Sequence, residues 1–368
     1  MSVTTTVPFA APARAIATQR AELEAAAARV FDSGRLILGE EGRAFEAELA
    51  AWLGTAHAVG VASGTDAIEL ALRALEIGPG SEVVTQANTC VPTVAAIERA
   101  GATPVLCDAD PASGRINVES LRGALTERTR AVVPVHLYGQ VADLGAVLEI
   151  GLPVIEDCAQ AMGTTWRGRA AGTLGALGTF SFYPTKNLGA LGDGGAVVTS
   201  DPDLADRLRL VRQYGQADRY RHVEHGVNSR LDELQAAFLR VRLPLVAEAN
   251  ERRRAIASRY DEALIDGPVR PLERATDGEH CFHLYVVRTP DRDAFRAELD
   301  ARGVGSLVHY PEPIHGHEPY RALGERAPLP GAEELARTVV SLPMYPELTD
   351  AEVEHVAEAA AAAARAAG

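Results

Sequence analysis

Of the 36 basic side chains in this 368-residue sequence, 35 are arginine. The single lysine is Lys186, in Ser181-Phe-Tyr-Pro-Thr-Lys-Asn-Leu-Gly189, just ahead of the glycine run Gly192-Asp-Gly-Gly-Ala196. Arginine can replace lysine in most ion pairs and on solvated surfaces. It cannot form a Schiff base, because its guanidinium stays protonated. A primary amine whose pKa is lowered can lose its proton and attack a carbonyl. A GC-rich genome accounts for the scarcity of lysine but not for where the survivor sits. Its position points to covalent chemistry.

The carbonyl partner is either a substrate's own or that of pyridoxal 5'-phosphate (PLP). PLP requires a carboxylate on its ring nitrogen, a phosphate cradle and something packed on the ring face. Asp157, in Val154-Ile-Glu-Asp-Cys-Ala-Gln-Ala161, closes a predicted buried strand, where open α/β sheets place ligand groups. Ionised, it would keep the ring nitrogen protonated; an Asp after a strand also suits a helix N-cap. Alternation along the strand aims Glu156 the opposite way. Gln160, three residues on, can face the same pocket. Ala62-Ser-Gly-Thr-Asp66 follows a strand and opens a helix, whose first amides and hydroxyls suit a phosphate, although the same residues cap helices generally. Ser181 is a second hydroxyl donor. The run Gly192-Asp-Gly-Gly195 allows a tight turn, but it precedes a strand and so is not a dinucleotide fingerprint.

These residues need a frame that brings distant loops together. Short apolar runs at Ala58–Ala62, Glu82–Thr85, Thr103–Cys107, Ala131–Val135 and Val154–Ile155 alternate with helical segments at Asp66–Leu75, Val91–Ala100, Val118–Leu125 and Ala142–Ile150. That pattern predicts an α/β fold: a mainly parallel sheet flanked by helices. Two more strands are predicted at Thr179–Phe182 and Ala196–Thr199, joined by the lysine loop. Helices are expected over Ala13–Ser33, Arg43–Leu53, Asp201–Arg212, Arg230–Arg242 and Ala247–Leu264, with Arg252-Arg-Arg254 read as a solvated face. His283–Arg288, Arg292–Arg302 and Gly305–His309 suggest strand, helix and strand, and an Ala-rich helix follows Asp350. The chain exceeds the usual size of one core. The division expected is an N-terminal arm (1–12), a large domain (13–245) and a smaller C-terminal α+β domain (246–368).

The formal charge of −14 disfavours a nucleic-acid partner. Apolar stretches fall short of a membrane span, and the N-terminus lacks the pattern of a secretory leader. Cys90, Cys107, Cys158 and Cys281 are far apart, without metal-ligand spacing, so no metal is expected and reduced thiols in a cytoplasm fit best.

Val135-His-Leu-Tyr-Gly-Gln140, Glu156-Asp-Cys-Ala-Gln160, the lysine segment with Gly192-Asp-Gly-Gly195, and Asn228-Ser-Arg-Leu-Asp-Glu-Leu-Gln-Ala-Ala237 occur in that order. Together, from Pro8 to about Pro346, they resemble the DegT/StrS family of sugar aminotransferases, which are fold-type I PLP enzymes. The resemblance implies that Lys186 holds PLP covalently, Asp157 pairs with its ring nitrogen and Gln160 contacts the ring. Gly64, Thr65 and Ser181 would hold the phosphate. Asn228 would reach the cofactor of a neighbouring subunit, implying a homodimer with shared active sites, although a helix N-cap is its other reading. Arg35, in Ser33-Gly-Arg-Leu-Ile-Leu-Gly39, resembles an early loop near the partner's site, and Tyr183 would lie beside the lysine. Many relatives carry an aromatic residue stacked on PLP where Cys90 stands here; a sulfur packed on the ring or a weaker stack would replace it. Leu307-Val-His-Tyr-Pro-Glu-Pro-Ile-His315 resembles the sugar-side loop, with His309, Tyr310 and His315 as substrate contacts.

The activity this implies runs in two halves. An amino acid, usually L-glutamate, leaves its amino group as pyridoxamine 5'-phosphate, which then aminates a nucleotide-linked keto-sugar. The leading expectation is C3 of a dTDP-keto-6-deoxyhexose, in deoxyaminosugar or antibiotic biosynthesis. C4 amination and amination of a keto-cyclitol are the alternatives. Sugar dehydratases of this fold have His in place of the lysine, which Lys186 argues against. A regulator or scaffold is a third reading, opposed by the presence of Asp157, Gln160 and Lys186 together.

Overall fold

The computed structural model of the protein describes residues 6–366. Seven strands build its main layer: β1 (His57–Val61), β2 (Glu82–Gln86), β3 (Thr103–Cys107), β4 (Thr129–Val133), β5 (Ile155–Asp157), β6 (Leu177–Ser181) and β7 (Gly195–Thr199). β3, β2 and β4 pair in parallel. β5 runs parallel to β6, and β7 lies antiparallel between β6 and β1. Parallel bridges at Val132–Val154 and Val135–Asp157 join the two groups. The order across the layer is therefore β3-β2-β4-β5-β6-β7-β1, with β7 alone reversed.

Both faces of this layer are covered, which is why the strands read as continuous apolar runs. On one side Val59, Ile68, Leu72, Ile97, Ile155 and Val197 share a core; on the other, Phe45, Leu49, Phe180, Phe182 and Leu239 do. Side-chain caps set several helix starts: Ser63 accepts from the Asp66 amide, Asn117 from Ser120, Asp201 from Asp203 and Leu204, and Asp291 from Ala294. Each such cap stabilises its helix by about 1 kcal/mol.

A second, antiparallel sheet pairs Arg270–Pro271, Tyr285–Arg288 and Val339–Leu342. It shares a core with the helices Val246–Leu264 and Asp350–Ala366, through Tyr260, Phe295, Val340 and Val356. The early chain reaches this core too: Val7 is buried and bridges Val304.

Three readings of the sequence need correction. The helix expected over Ala13–Ser33 is two, Pro12–Thr18 and Arg20–Ser33, interrupted at Gln19. The second strand of the C-terminal unit is Val339–Leu342; Gly305–His309 contributes only a bridge between Leu307 and Ser341. The Arg252–Arg254 run is not one solvated face. Arg253 is buried and donates to the carbonyls of Phe282 and Met344, while Arg252 and Arg254 pair with Asp350 and Glu251. A helix interior places neighbouring residues about 100° apart, so three consecutive charges cannot share one face.

Because β1, β2, β4, β5 and β6 run the same way, their carboxyl ends lie along one edge. Ser63, Cys90, Tyr138, Asp157 and Ser181 follow from those ends, and ligand sites of open α/β sheets form at such edges.

Candidate active site

Asp157 ends β5 with its carboxylate buried. Its Oδ2 accepts from the Thr93 hydroxyl at 2.9 Å and its Oδ1 from the Ala159 amide at 3.1 Å. The chain then turns without starting a helix, so Asp157 is not a helix N-cap. Burial pushes its carboxyl above the ordinary value, against the pull of the Ala159 amide, the Thr93 hydroxyl and the charge of Lys186. A carboxylate has about four lone-pair sites, so room is left for a further donor, and a cationic one would offset the burial. Lys186 answers from across the site. Burial lowers its amine pKa, partly countered by Cys90 and Asp157. A lowered value increases the fraction of free amine at neutral pH, which an imine-forming nucleophile needs.

Glu156 points to the opposite side, as strand alternation requires. Its Oε2 accepts from His136 Nε2 and the Gly172 amide, and its Oε1 from the amides of Leu174 and Gly175. Burial would raise this carboxyl, but His136 and those amides together hold it below its usual range. His136 Nδ1 accepts from the Ala142 amide, which leaves the proton on Nε2. His136, Glu156 and Cys158 lie close enough to suggest a metal, but the His and the carboxylate already spend their lone pairs and protons on these bonds. The cluster fixes the turn beyond β5, and with it the aim of Asp157.

Gln160 sits between two tyrosines. Its Oε1 accepts from the Tyr138 amide at 2.7 Å, and its Nε2 donates to the Tyr310 hydroxyl at 3.0 Å. Tyr138 in turn donates its hydroxyl to the His309 carbonyl at 2.6 Å. The Cys90 thiol interacts with Tyr310 and feels the charges of Lys186 and Asp157. Cys90, Asp157, Gln160, Lys186 and Tyr310 thus share one environment. His309 bonds Ser341 through Nδ1 and packs its ring 5.6 Å from that of Phe9. Burial pushes its pKa down to about 4, so it is neutral at pH 7.

Burial raises the Cys90 thiol, against the pull of Tyr310 and the charge of Lys186. Only a small thiolate fraction then exists at neutral pH. Iodoacetamide is expected to alkylate Cys90 slowly at pH 7, with the rate climbing about tenfold per pH unit up to pH 9. Mass-mapped labelling checks this; a rate already level below pH 8 would contradict it.

At the β1 end, Ser63 caps the helix Gly64–Ala74, and Thr65 stands in its first turn. A Cβ on Gly64 would lie 2.6 Å from Ser181 Cβ, so glycine alone lets the helix N-terminus meet β6. The first amides and the Ser181 hydroxyl therefore converge, as an anion cradle requires. Gly64→Ala is expected to prise these apart and to weaken PLP affinity by about tenfold or more. A fluorescence titration of the apoprotein measures it, with unchanged affinity as the contrary result. Both parts, the spare carboxylate lone pairs and the cradle, fit PLP: Asp157 toward the ring nitrogen and Gly64, Thr65 and Ser181 toward the phosphate.

Other expected residues stand apart. Tyr183 is exposed beside the lysine, and Arg35 is exposed in a loop with exposed Leu36 and Ile37. Asn228 is exposed and bridges Gln213, while the helix N-cap is Asp232, so Asn228 is not that cap. Its neighbour Ser229 donates to Asp66 and accepts from the Ala62 amide, tying this segment to the cradle. His315 is engaged with Glu333 at 3.3 Å. The sequence reading missed Thr93, Tyr138 and Asn187. Asn187 Nδ2 donates to Asn250 and to the Cys281 carbonyl, anchoring the lysine loop. Tyr138 and Asn187 lie inside motifs quoted above; for Thr93 the only signal was its place one turn after Cys90.

The chain matches the DegT/DnrJ/EryC1/StrS aminotransferase family over residues 17–361. It is 49% identical, over 93% of its length and 92% of the relative's, to dTDP-3-amino-3,4,6-trideoxy-alpha-D-glucose transaminase of Streptomyces venezuelae. It is 44% identical to a pleiotropic regulatory protein of Geobacillus stearothermophilus, over 89% and 91% of the two chains. Among solved structures it superposes on S. venezuelae DesV in complex with a ketimine intermediate, with TM-score 0.95 and 47% identity over 98% and 99%. NtdA of Bacillus subtilis with bound cofactor PMP aligns with TM-score 0.92 and 29% identity, over 99% of this chain and 86% of that one.

Proposed function

Because this chain belongs to the DegT/DnrJ/EryC1/StrS aminotransferase family, we propose that it uses PLP to move an amino group from an amino acid, L-glutamate first, to C3 of a dTDP-linked keto-6-deoxyhexose. The observation that carries the sugar assignment is the 49% identity, across nearly the whole of both chains, to a transaminase named for a 3-amino dTDP-sugar. The single lysine, lowered in pKa and electrostatically linked to a buried aspartate, supports the chemistry.

When bound, PLP supplies an electron sink that makes the α-proton of an amino acid acidic. The chain's residues supply the rest. Lys186 Nζ would hold the cofactor until the donor's amino group displaces it. The freed amine would then move the α-proton from the donor's α-carbon onto the cofactor and, in the second half, move a proton from the cofactor to the sugar carbon. Asp157 would hold the ring nitrogen, and Thr93 and Ala159 hold Asp157. Gln160 contacts the ring, aimed by Tyr138 and Tyr310. Cys90 packs where an aromatic stacks in many relatives. Tyr183, His309, Tyr310 and His315 face the sugar nucleotide, and Arg35 and Asn228 complete the site of a partner copy. The apolar Phe31, Leu36 and Ile37, exposed around the Arg35 loop, support that homodimer.

A regulatory reading is supported by the name of the Geobacillus relative. Against it, an inert scaffold has no need of a desolvated lysine beside a buried carboxylate. The decisive assay supplies L-glutamate with dTDP-3-keto and dTDP-4-keto sugars and identifies the product by NMR. Nitrogen at C3 is expected. Nitrogen at C4 moves the assignment to the alternative, and no amination of any keto-sugar or keto-cyclitol ends it.

A further inference from the structure

Tyr138 holds a backbone conformation that favours glycine. It lies beyond β4 with a φ of +63°, in the left-handed region that bulky residues seldom occupy. Such residues persist only where their surroundings hold them, and they cluster at functional sites. The surroundings of Tyr138 are specific. Its amide donates to Gln160 Oε1 at 2.7 Å, its carbonyl accepts from the Leu284 amide at 3.1 Å, and its hydroxyl donates to the His309 carbonyl at 2.6 Å. Its ring is buried, and a Cβ on Gly114 would lie 3.3 Å from it. Glycine at this position would meet the backbone demand without strain and would still make the first two bonds. Phenylalanine would fill the same space. Only the hydroxyl requires tyrosine.

That hydroxyl closes a ring of contacts. From the Tyr138 hydroxyl the ring runs to the His309 carbonyl and on to the next residue, Tyr310. The Tyr310 hydroxyl accepts from Gln160 Nε2 at 3.0 Å, and Gln160 Oε1 returns to the Tyr138 amide. Burial pushes the Tyr138 hydroxyl above its ordinary pKa, so it stays protonated and donates. His309 is gripped at two further points. Ser341 bonds its Nδ1 at 2.8 Å, and the Phe9 ring lies 5.6 Å from its own. Phe9 belongs to the early chain, where Val7 exchanges backbone bonds with Gly303 and Gly305. From this fixed backbone Tyr310 extends to Gln160 and interacts with Cys90.

Resting on the aminotransferase reading above, we propose that Tyr138 is a positioning residue for the sugar half of the reaction: its hydroxyl fixes the His309 carbonyl and so places Tyr310 against the keto-sugar. Both ends of the Gln160 amide depend on Tyr138, Oε1 through its backbone N–H and Nε2 through Tyr310. The backbone bond survives loss of the hydroxyl. Gln160 therefore keeps one anchor toward the cofactor ring, whereas Tyr310 loses the contact that sets its backbone. The sugar half carries the larger penalty.

Tyr138→Phe removes the hydroxyl and keeps the ring, the amide and the packing. Deuterium exchange reads the segment directly, in the cofactor-free and the cofactor-loaded protein. The Leu307 and Ile314 amides bond the carbonyls of Ser341 and Ala87. The peptide containing them is expected to exchange about 3- to 30-fold faster in the variant, while peptides elsewhere keep their rates. Single-turnover rates with L-glutamate and with the dTDP-keto-sugar separate the two halves. The sugar half is expected to slow about 10- to 100-fold, several times more than the donor half. In a Tyr310→Phe background the same substitution is expected to cost less than about twofold, because Tyr138 acts through Tyr310. Unchanged exchange, or a sugar half at the wild-type rate, overturns the proposal. So do equal losses in both halves, additive losses with Tyr310→Phe, or faster exchange along the whole chain, each of which makes Tyr138 a residue of the fold alone. Wild-type protein that aminates no keto-sugar refutes the aminotransferase reading itself and takes the sugar-half role with it; the exchange measurement still decides separately whether the hydroxyl holds the segment.

Discussion

Lys186→Arg is expected to lose amino transfer by on the order of 10⁴-fold or more, with its fold intact. The substitution keeps a positive charge on a long side chain, so attraction to Asp157 survives. What it removes is the one property arginine lacks, a nitrogen that can deprotonate and bond to carbon. Lys186→Ala is expected to lose as much, which separates covalent chemistry from charge. The site should still take up PLP through the cradle and Asp157, though more weakly. Borohydride treatment of the PLP-loaded wild type is expected to fix the cofactor's mass on the peptide containing Lys186; the arginine variant carries no such mass. Activity within about tenfold of wild type in either variant would remove the basis of the mechanism.

Much of this site was legible from residue types alone, for a physical reason. Lys186 and Asp157 have few substitutes in their chemistry; Asp157 closes a short apolar run, and Lys186 lies in the loop between two others. The strand Thr103–Cys107 has the bounds its sequence suggests, and the other six differ from expectation by one or two residues at an end. What stayed hidden depends on distant contacts. No expected element covers Val339–Leu342, and Tyr285–Arg288 claims it as a strand. Arg253 looks like one of three surface charges, and only packing of its helix against the loops at Phe282 and Met344 buries it. Thr93 carries no motif, and it matters only because β2 and β5 run in parallel two strands apart. Gly64 was legible as part of a capping sequence, whereas its tight approach to Ser181 needed the sheet order.

The second large effect belongs to Asp157. In the loaded enzyme this carboxylate is expected to face a cationic ring nitrogen inside a buried site, where breaking a charge pair costs about 3–5 kcal/mol. If that pair is tighter when charge flows into the ring, the loss appears in kcat. At 1.36 kcal/mol per factor of ten, Asp157→Asn is expected to slow amino transfer by about 10²- to 10⁴-fold. The cofactor-free protein should respond differently. Burial holds the Asp157 carboxyl above its ordinary pKa, so ionising it at pH 7 works against the fold. Stability from this group is full at pH values below the unfolded pKa and is lost as pH rises through the folded one. Asparagine escapes that cost, but its amide group must turn one NH₂ toward either the Thr93 hydroxyl or the Ala159 amide, both of which donate to the carboxylate. The two effects oppose each other, and the apoprotein is expected to melt within about 3 °C of wild type. A large loss of kcat with an unmoved melting temperature identifies an electrostatic role. A matching collapse of both would make Asp157 a structural residue, and the assignment of its carboxylate to the ring nitrogen would fall.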